Sequence, residues 1–335
     1  MKPEGGSGRA SHEPTLSVSG LTVGFEGESG VSPVVLDVAF EAGAGEVLGL
    51  VGESGSGKSV SCMAIAGLLD ASAQVRGDVR FGGTQIIGLE PEAFRRLRGK
   101  RIAMVFQDAV GSLNPIQTIG AQLREVIRLH RPEVRPDAFA RELLGQVGIA
   151  DTDRCLKSYP HMLSGGMNQR VMIASALVGN PDLLIADEPT TALDVTTQAQ
   201  ILDLLAGKQR ERGMTMLIVT HDLGVVAGVC DTVAVMYAGR IIEKAPVETF
   251  FEQPAHPYSA ALLQAMPGLS GSHGKMRPIE GAVPPPAEWD KGCSFAPRCP
   301  RASALCRAQV PLTTTVGSRS FACHHPLLED ARATG

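Results

Sequence analysis

Residues Gly52-Glu53-Ser54-Gly55-Ser56-Gly57-Lys58-Ser59 follow the apolar run Glu46–Val51 and lead into the helical pattern Lys58–Leu69. This order of strand, glycine-rich loop and helix leaves few architectures open. Glycines let successive backbone N–H groups turn inward to form an anion-binding nest. The helix begun at Lys58 adds the positive end of its dipole. In that context the spacing G-x-x-x-x-G-K-[ST] describes a loop that cradles the phosphates of a nucleotide. Lys58 reaches the β- and γ-phosphates, and the Ser59 hydroxyl is suited to ligate Mg2+. Such a loop needs a sheet behind it.

The rest of the chain supplies one. Leu16–Phe25 alternates apolar and polar residues as a half-buried strand does, and Arg76–Phe81 and Ile102–Phe106 read as further strands. Asp182–Ala186, Met216–Thr220 and Thr232–Tyr237 are apolar, β-branched-rich runs suited to strands buried on both faces. Gly239-Arg240 reads as a turn into Ile241–Glu243, the last strand of a hairpin. Thr118–His130 places Ile119, Leu123, Val126 and Ile127 on one helical face, and Pro136–Val147 reads as a second helix. Strands alternating with helices predict an α/β fold.

A second element must hold the metal and direct the attacking water. Leu183-Leu184-Ile185-Ala186-Asp187-Glu188 is an apolar strand ending in paired carboxylates, at the strand end where ligands collect in α/β sheets. Asp187 is the candidate to hold Mg2+ through water, and Glu188 the candidate to polarise the nucleophile.

Composition excludes other classes. The formal net charge of -4 over 335 residues provides no broad basic field for nucleic acid. No run approaches the roughly 20 apolar residues of a spanning helix. Met1 to Pro14 is polar and rich in Gly and Ser without an apolar signal core, so residues 1–14 are expected to be a disordered tail. The expectation is a chain kept in the cytoplasm, whose membrane role comes through partners. After Met266 the stretch Pro267–Trp289, with consecutive prolines at 284–286, reads as a linker. The expected division is 15–266 for the nucleotide domain, with a helical part at about 115–178, then 267–292 for the linker and 293–326 for a Cys-rich extension.

The phosphate loop and acidic strand occur in many NTPases, and a third segment discriminates among them. Leu163-Ser164-Gly165-Gly166-Met167-Asn168-Gln169-Arg170, ahead of the helical run Val171–Leu177, resembles the signature motif of the ABC ATPases. Ser164 suits a helix N-cap, and the paired glycines allow the backbone close to a phosphate. The resemblance implies a P-loop NTPase fold of the ABC type: a RecA-like core, an antiparallel β subdomain and a helical subdomain. It also implies that the signature, with Leu163, Met167 and Gln169, faces the γ-phosphate bound by another subunit's P-loop. Gln107 matches the Q-loop glutamine that senses metal and water, and Ala192-Leu193-Asp194 matches the D-loop at the dimer interface. His221 matches the switch histidine at the γ-phosphate, and Phe25 stands where the family stacks an aromatic ring on adenine.

Further motifs resemble the oligopeptide/dipeptide permease branch: Phe106-Gln107-Asp108 with Ser112-Leu113-Asn114-Pro115, Tyr159-Pro160-His161, Asp187-Glu188-Pro189-Thr190-Thr191, and His221-Asp222-Leu223-Gly224 with His256-Pro257-Tyr258. Asn168 departs from the branch, which carries a basic residue there, and an altered helix cap is expected. The resemblance implies an importer ATPase for peptides, peripheral on the cytoplasmic face of the inner membrane. Its implied partners are a second ATPase subunit that is a paralogue, two membrane permeases and an external solute-binding protein. The segment Asp108–Gln117 would help form the groove for a permease coupling helix. Related systems carry nickel, opines or sugars, and soluble ABC proteins act without transport. The latter usually carry coiled-coil inserts or two ATPase units, and this sequence has neither.

Cys293, Cys299, Cys306 and Cys323 cluster near the C-terminus. A reducing compartment disfavours disulfides, so metal ligation is the reading to test. The spacing lacks the C-x2-C of structural zinc sites, and four thiolates can also hold an iron–sulfur cluster. Resemblance to the branch's C-terminal extension, through Gly292-Cys293-Ser294-Phe295 and Pro297-Arg298-Cys299-Pro300, implies a [4Fe–4S] cluster. Zinc, with His324 or His325 as substitute ligands, and free thiols remain open alternatives.

Overall fold

The computed structural model describes residues 14–27, 30–191, 193–266, 279–289 and 291–328. The expected tail at 1–13, Ala192 of the D-loop and residues 267–278 of the expected linker lie outside that set. Among the described residues, twelve strands form two sheets. In chain order they are β1 (Leu16–Gly27), β2 (Gly30–Ala42), β3 (Val47–Val51), β4 (Ala73–Phe81), β5 (Thr84–Gln85) and β6 (Ile102–Val105). The second half supplies β7 (Leu183–Asp187), β8 (Thr215–Thr220), β9 (Thr232–Tyr237), β10 (Arg240–Pro246), β11 (Thr313–Val316) and β12 (Arg319–Ala322).

The larger sheet has the order β11-β12-β10-β9-β3-β8-β7-β6. Its members β9, β3, β8, β7 and β6 run parallel. Every residue of β3, β7 and β8 is buried, because helices cover both faces of a parallel sheet and each side chain meets apolar neighbours. The smaller sheet, β2-β1-β4-β5, is antiparallel. Its inner face packs Leu16, Val35 and Val79 against Leu48 and Ile65 of the parallel layer.

The second large core lies on the opposite face of the parallel sheet. There helices Ile119–His130, Pro136–Gln146 and Gly165–Ala176 meet the long helix Val195–Arg212. Ile119, Leu123 and Ile127 are buried as their helical spacing requires, and the Thr118 side chain caps that helix by accepting from the Ala121 N–H.

Ile241–Glu243 lies within the longer β10, which forms the expected hairpin with β9. β10 pairs on its far side with β12, and β12 pairs with β11, so the C-terminal extension continues the central sheet by an antiparallel hairpin. Within the stretch read as linker, Trp289 is buried and donates its indole N–H to the Pro284 carbonyl at 2.8 Å.

Candidate nucleotide site

The loop between β3 and helix Lys58–Ile65 turns on three glycines with positive φ: Gly52 at 154°, Gly55 at 76° and Gly57 at 102°. Two of them also approach backbone too closely for a side chain. A Cβ on Gly52 would stand 2.1 Å from the Met236 carbonyl oxygen, and one on Gly57 would stand 2.7 Å from that of Val34. The motif is therefore glycine-rich for steric reasons as well as conformational ones.

Lys58 is buried at the base of this loop. Its Nζ donates to the Gly52 and Glu53 carbonyls, each at 2.9 Å, and to Ser56 Oγ at 3.4 Å. Burial holds its pKa below the ordinary lysine value, against the pull of the Glu188 and Asp187 carboxylates. Next to it, Ser59 Oγ donates to Asp187 Oδ1 at 2.9 Å. Burial raises the Asp187 pKa and the neighbouring Glu188 charge adds to the rise, while the Ser59 hydrogen bond and Lys58 oppose it. This part-buried pair of hard oxygens beside a lysine suits Mg2+, which prefers such donors.

Glu188 follows at the end of β7 with φ 45°, a left-handed conformation that costs a non-glycine residue energy and is found mainly where function holds it. Its backbone N–H donates to the Val219 carbonyl of β8 at 3.0 Å, which fixes the turn. Three side chains converge on its carboxylate: Gln107 Nε2 donates to Oε2 at 3.0 Å, Thr191 Oγ1 to Oε2 at 2.8 Å, and His221 Nδ1 stands 3.4 Å from Oε1. Gln107 follows β6 and His221 follows β8, the strands on either side of β7, so parallel order brings the trio to one edge. Residues far apart in sequence thus surround one carboxylate beside the phosphate loop.

The signature residues occupy a different surface. Ser164 is exposed and caps helix Gly165–Ala176 by accepting from the Met167 N–H at 3.3 Å. A Cβ on Gly166 would stand 2.7 Å from Thr197 Cγ2, and one on Gly165 would stand 3.5 Å from Leu193 Cδ2. The signature therefore packs on the D-loop, whose Asp194 caps the next helix through the Thr197 N–H at 2.9 Å. Leu163 is partly buried in the helical core, and Gln169 is buried. Asn168 leaves the cap intact: it is buried inside the helix and its Nδ2 donates to the Pro160 carbonyl at 3.0 Å. Phe25, near the end of β1, is half-buried and leans on the core beneath the smaller sheet.

Comparison with known proteins now becomes decisive. Residues 35–191 match the family described as ABC transporter, and residues 242–306 match the one described as oligopeptide/dipeptide transporter, C-terminal region. The chain is 46% identical over 316 residues to the oligopeptide transport ATP-binding protein OppD of Salmonella typhimurium, covering 94% of each. It belongs to the oligopeptide/dipeptide family of ABC transporter ATP-binding proteins. The dipeptide transport ATP-binding protein DppD of Haemophilus influenzae is 44% identical, covering 94% of this chain and 96% of that one. Among solved structures, the dimeric ATP-binding cassette MJ0796 bound to ADP and Pi superposes with a TM-score of 0.63 at 27% identity, over 69% of this chain and 98% of that one. The cbiO1 protein of Clostridium perfringens, part of the ABC transporter complex cbiONQ, gives 0.61 at 29% identity, over 72% and 92%. As a member of this family the chain is an ATP-hydrolysing ABC subunit with the cassette fold.

Among the described residues no group of three or more His, Cys, Asp and Glu side chains is arranged to hold a metal ion, so a [4Fe–4S] cluster or zinc on Cys293, Cys299, Cys306 and Cys323 finds no support in the geometry. The segment is held by ordinary polar contacts instead. Cys293 N–H donates to the Cys306 carbonyl at 2.7 Å, His325 Nε2 meets Ser303 Oγ at 2.8 Å, and His324 Nε2 meets the Gln309 carbonyl at 2.9 Å. Burial raises the pKa values of Cys293, Cys299 and Cys323, that of Cys323 to about 12.

Three residues at this site stand in motifs of the family resemblance without a role assigned to them. Thr191 holds Glu188 from three residues further along, while Tyr258 and Arg298 reach back from the C-terminal part of the chain to Glu53. Only the topology brings the last two there.

Proposed function

We propose that this chain powers an importer for oligopeptides or dipeptides, hydrolysing ATP between its own P-loop and the signature of a second, paralogous ATPase subunit. The observation that carries the reading is the convergence of Gln107, Thr191 and His221 on Glu188, next to the Ser59–Asp187 pair. In the reaction, Glu53 to Ser59 and Lys58 hold the triphosphate, and Phe25 stacks on the adenine. Ser59 and Gln107, with Asp187 through water, would hold Mg2+, whose charge would offset that of the phosphate oxygens. Glu188 orients and polarises the attacking water, while Gln107 and His221 fix its carboxylate and report the γ-phosphate. The partner's own signature turn completes the far side of this nucleotide, and in exchange Ser164, Gly165 and Gly166 of this chain, with Leu163, Met167 and Gln169 shaping their turn, complete the nucleotide held by the partner, while Leu193 and Asp194 cross the interface.

Support for peptides as cargo comes from relatives named for oligopeptide and dipeptide transport that match nearly the whole chain. No helix among the described residues is long and apolar enough to cross a membrane. The translocation path is therefore assigned to two permease subunits, supplied by an external solute-binding protein, with this chain peripheral at the cytoplasmic face of the inner membrane. The segment Asp108–Gln117 would help form the groove for a permease, leading into a helical part at about 115–178 of a nucleotide domain spanning 15–266. The 293–326 extension carries no chemical step in this scheme. A brown colour in anaerobically purified protein is the observation that would restore the iron–sulfur expectation.

Capture of the full chain from its native membranes tests the proposal. The expected companions are two permeases and a second ATPase, with ATP-dependent uptake of a labelled tripeptide by vesicles carrying the complex. Recovery without any membrane subunit, or uptake indifferent to ATP, would overturn it.

A further inference from the structure

Glu53, the second residue of the P-loop, is held at every polar group it has. Its N–H donates to the Tyr258 hydroxyl at 3.0 Å, and its carbonyl accepts from Lys58 Nζ at 2.9 Å. Its carboxylate accepts from Arg298 Nη1, at 3.0 Å to Oε1 and 3.1 Å to Oε2. Arg298 comes from the C-terminal extension, next to Cys299, and its side chain is only 4% exposed. The guanidinium is itself fixed, donating to the Ile279 and Glu280 carbonyls at 3.1 and 2.9 Å and to the Tyr237 hydroxyl at 3.3 Å.

A second line runs in parallel. The buried Trp289 ring closes on Gly239, where a Cβ would stand 2.6 Å from Trp289 Cζ3, and the Gly239 N–H donates to the carbonyl of Ser56 in the P-loop at 3.0 Å. The extension therefore grips the phosphate cradle at Glu53, and the segment just before it backs Gly239, which holds Ser56.

Glu53 is an awkward residue in that cradle. Its carboxylate lies close enough to act electrostatically on Lys58, so when unpaired it competes with the triphosphate for the lysine's charge. A buried, hydrogen-bonded guanidinium removes that competition and fixes the loop together.

We infer that Arg298 is a positioning residue for ATP: it clamps the P-loop through Glu53 and neutralises a carboxylate that otherwise opposes the triphosphate. The inference rests on the assignment of this loop as the ATP site.

Binding of MgATP to the purified full chain, and the kinetics of the assembled transporter, test it with three variants. Arg298→Ala weakens MgATP binding about tenfold, equivalent to about 1.4 kcal/mol, and raises KM for ATP more than it lowers kcat. Glu53→Gln alone, which keeps the backbone that lines the cradle, lowers affinity less than Arg298→Ala does, because no carboxylate is left to oppose the nucleotide. Arg298→Ala/Glu53→Gln regains most of the affinity lost in Arg298→Ala, which loss of a merely structural support would not allow. Should Arg298→Ala fail to fold, recovery of folded, ATP-binding protein in the double variant still supports the clamp. Wild-type affinity in Arg298→Ala, or a double variant as weak as Arg298→Ala, overturns it. A wild-type chain with no affinity for MgATP overturns the site assignment and the clamp together.

Discussion

His256 makes the stability of this protein depend on pH in a calculable way. The ring is fully buried, and its Nδ1 accepts from the Tyr258 N–H at 3.0 Å, capping helix Pro257–Gln264. An accepting nitrogen must be unprotonated, and burial lowers the folded-state pKa from 6.5 to about 3. In the unfolded chain the imidazole titrates normally. Between pH 6.5 and about 3 the unfolded state therefore binds the extra proton, and stability falls as pH falls. The loss approaches about 1.4 kcal/mol per pH unit, or about 2 kcal/mol at pH 5 relative to neutral pH. Glu243 must be separated from this effect. Its carboxylate accepts from the Ala255 and His256 N–H groups at 2.7 Å, and burial raises its pKa, which gives stability a slope of opposite sign. Glu243 touches the His256 backbone and not its ring, so it remains in place when the ring is replaced. Urea denaturation of wild type and His256→Asn at pH 7 and pH 5 isolates the histidine contribution, because asparagine can cap the helix but does not titrate. The wild type should lose about 2 kcal/mol more than the variant over that interval. Equal losses would mean that the imidazole is charged in the fold, and would refute the reasoning.

Other expectations concern the nucleotide site. Gly52→Ala drives a Cβ into the Met236 carbonyl, so it should cost about 2 kcal/mol or more of stability and abolish ATP binding, read by calorimetry. Phe25→Ala should weaken ATP about tenfold if the ring stacks on the base, since such stacking contributes roughly 1–3 kcal/mol; unchanged affinity would assign Phe25 to the core alone. Ser164→Ala should lower turnover of the assembled complex at least about tenfold while leaving ATP affinity of the isolated chain unchanged. It should also cost about 1 kcal/mol of helix stability through the lost cap.

Local signals in the sequence account for most of the parallel sheet and of the phosphate site. The apolar runs of β3, β7, β8 and β9 and the spacing of Gly52 to Ser59 are read by strand burial and loop sterics, both properties of neighbouring residues. β2 was harder to see. It holds Pro33, tolerated at the edge of its sheet, and Asp37 at φ 51° breaks its alternation. Helix Val195–Arg212 buries little beyond Ile201, Leu205 and Gln209, so its periodicity is faint against the polar residues between them. β11 and β12 are short, and β11 is fully exposed, which leaves no apolar pattern to find. The cysteine spacing points to a metal, and among the described residues no group of three or more His, Cys, Asp and Glu side chains supports one. Arg298 could not be assigned from sequence at all, because its partner Glu53 lies at the other end of the chain and meets it only through the tertiary fold.

The central claim is that Glu188, gripped by Gln107, Thr191 and His221, drives hydrolysis of ATP held by the loop beside it. Glu188→Gln keeps the shape of the side chain and removes its basicity. Measured side by side on the assembled transporter, ATP affinity of the variant should stay within about threefold of wild type while hydrolysis falls about a hundredfold or more. A variant that turns over ATP at a near-normal rate would contradict the account.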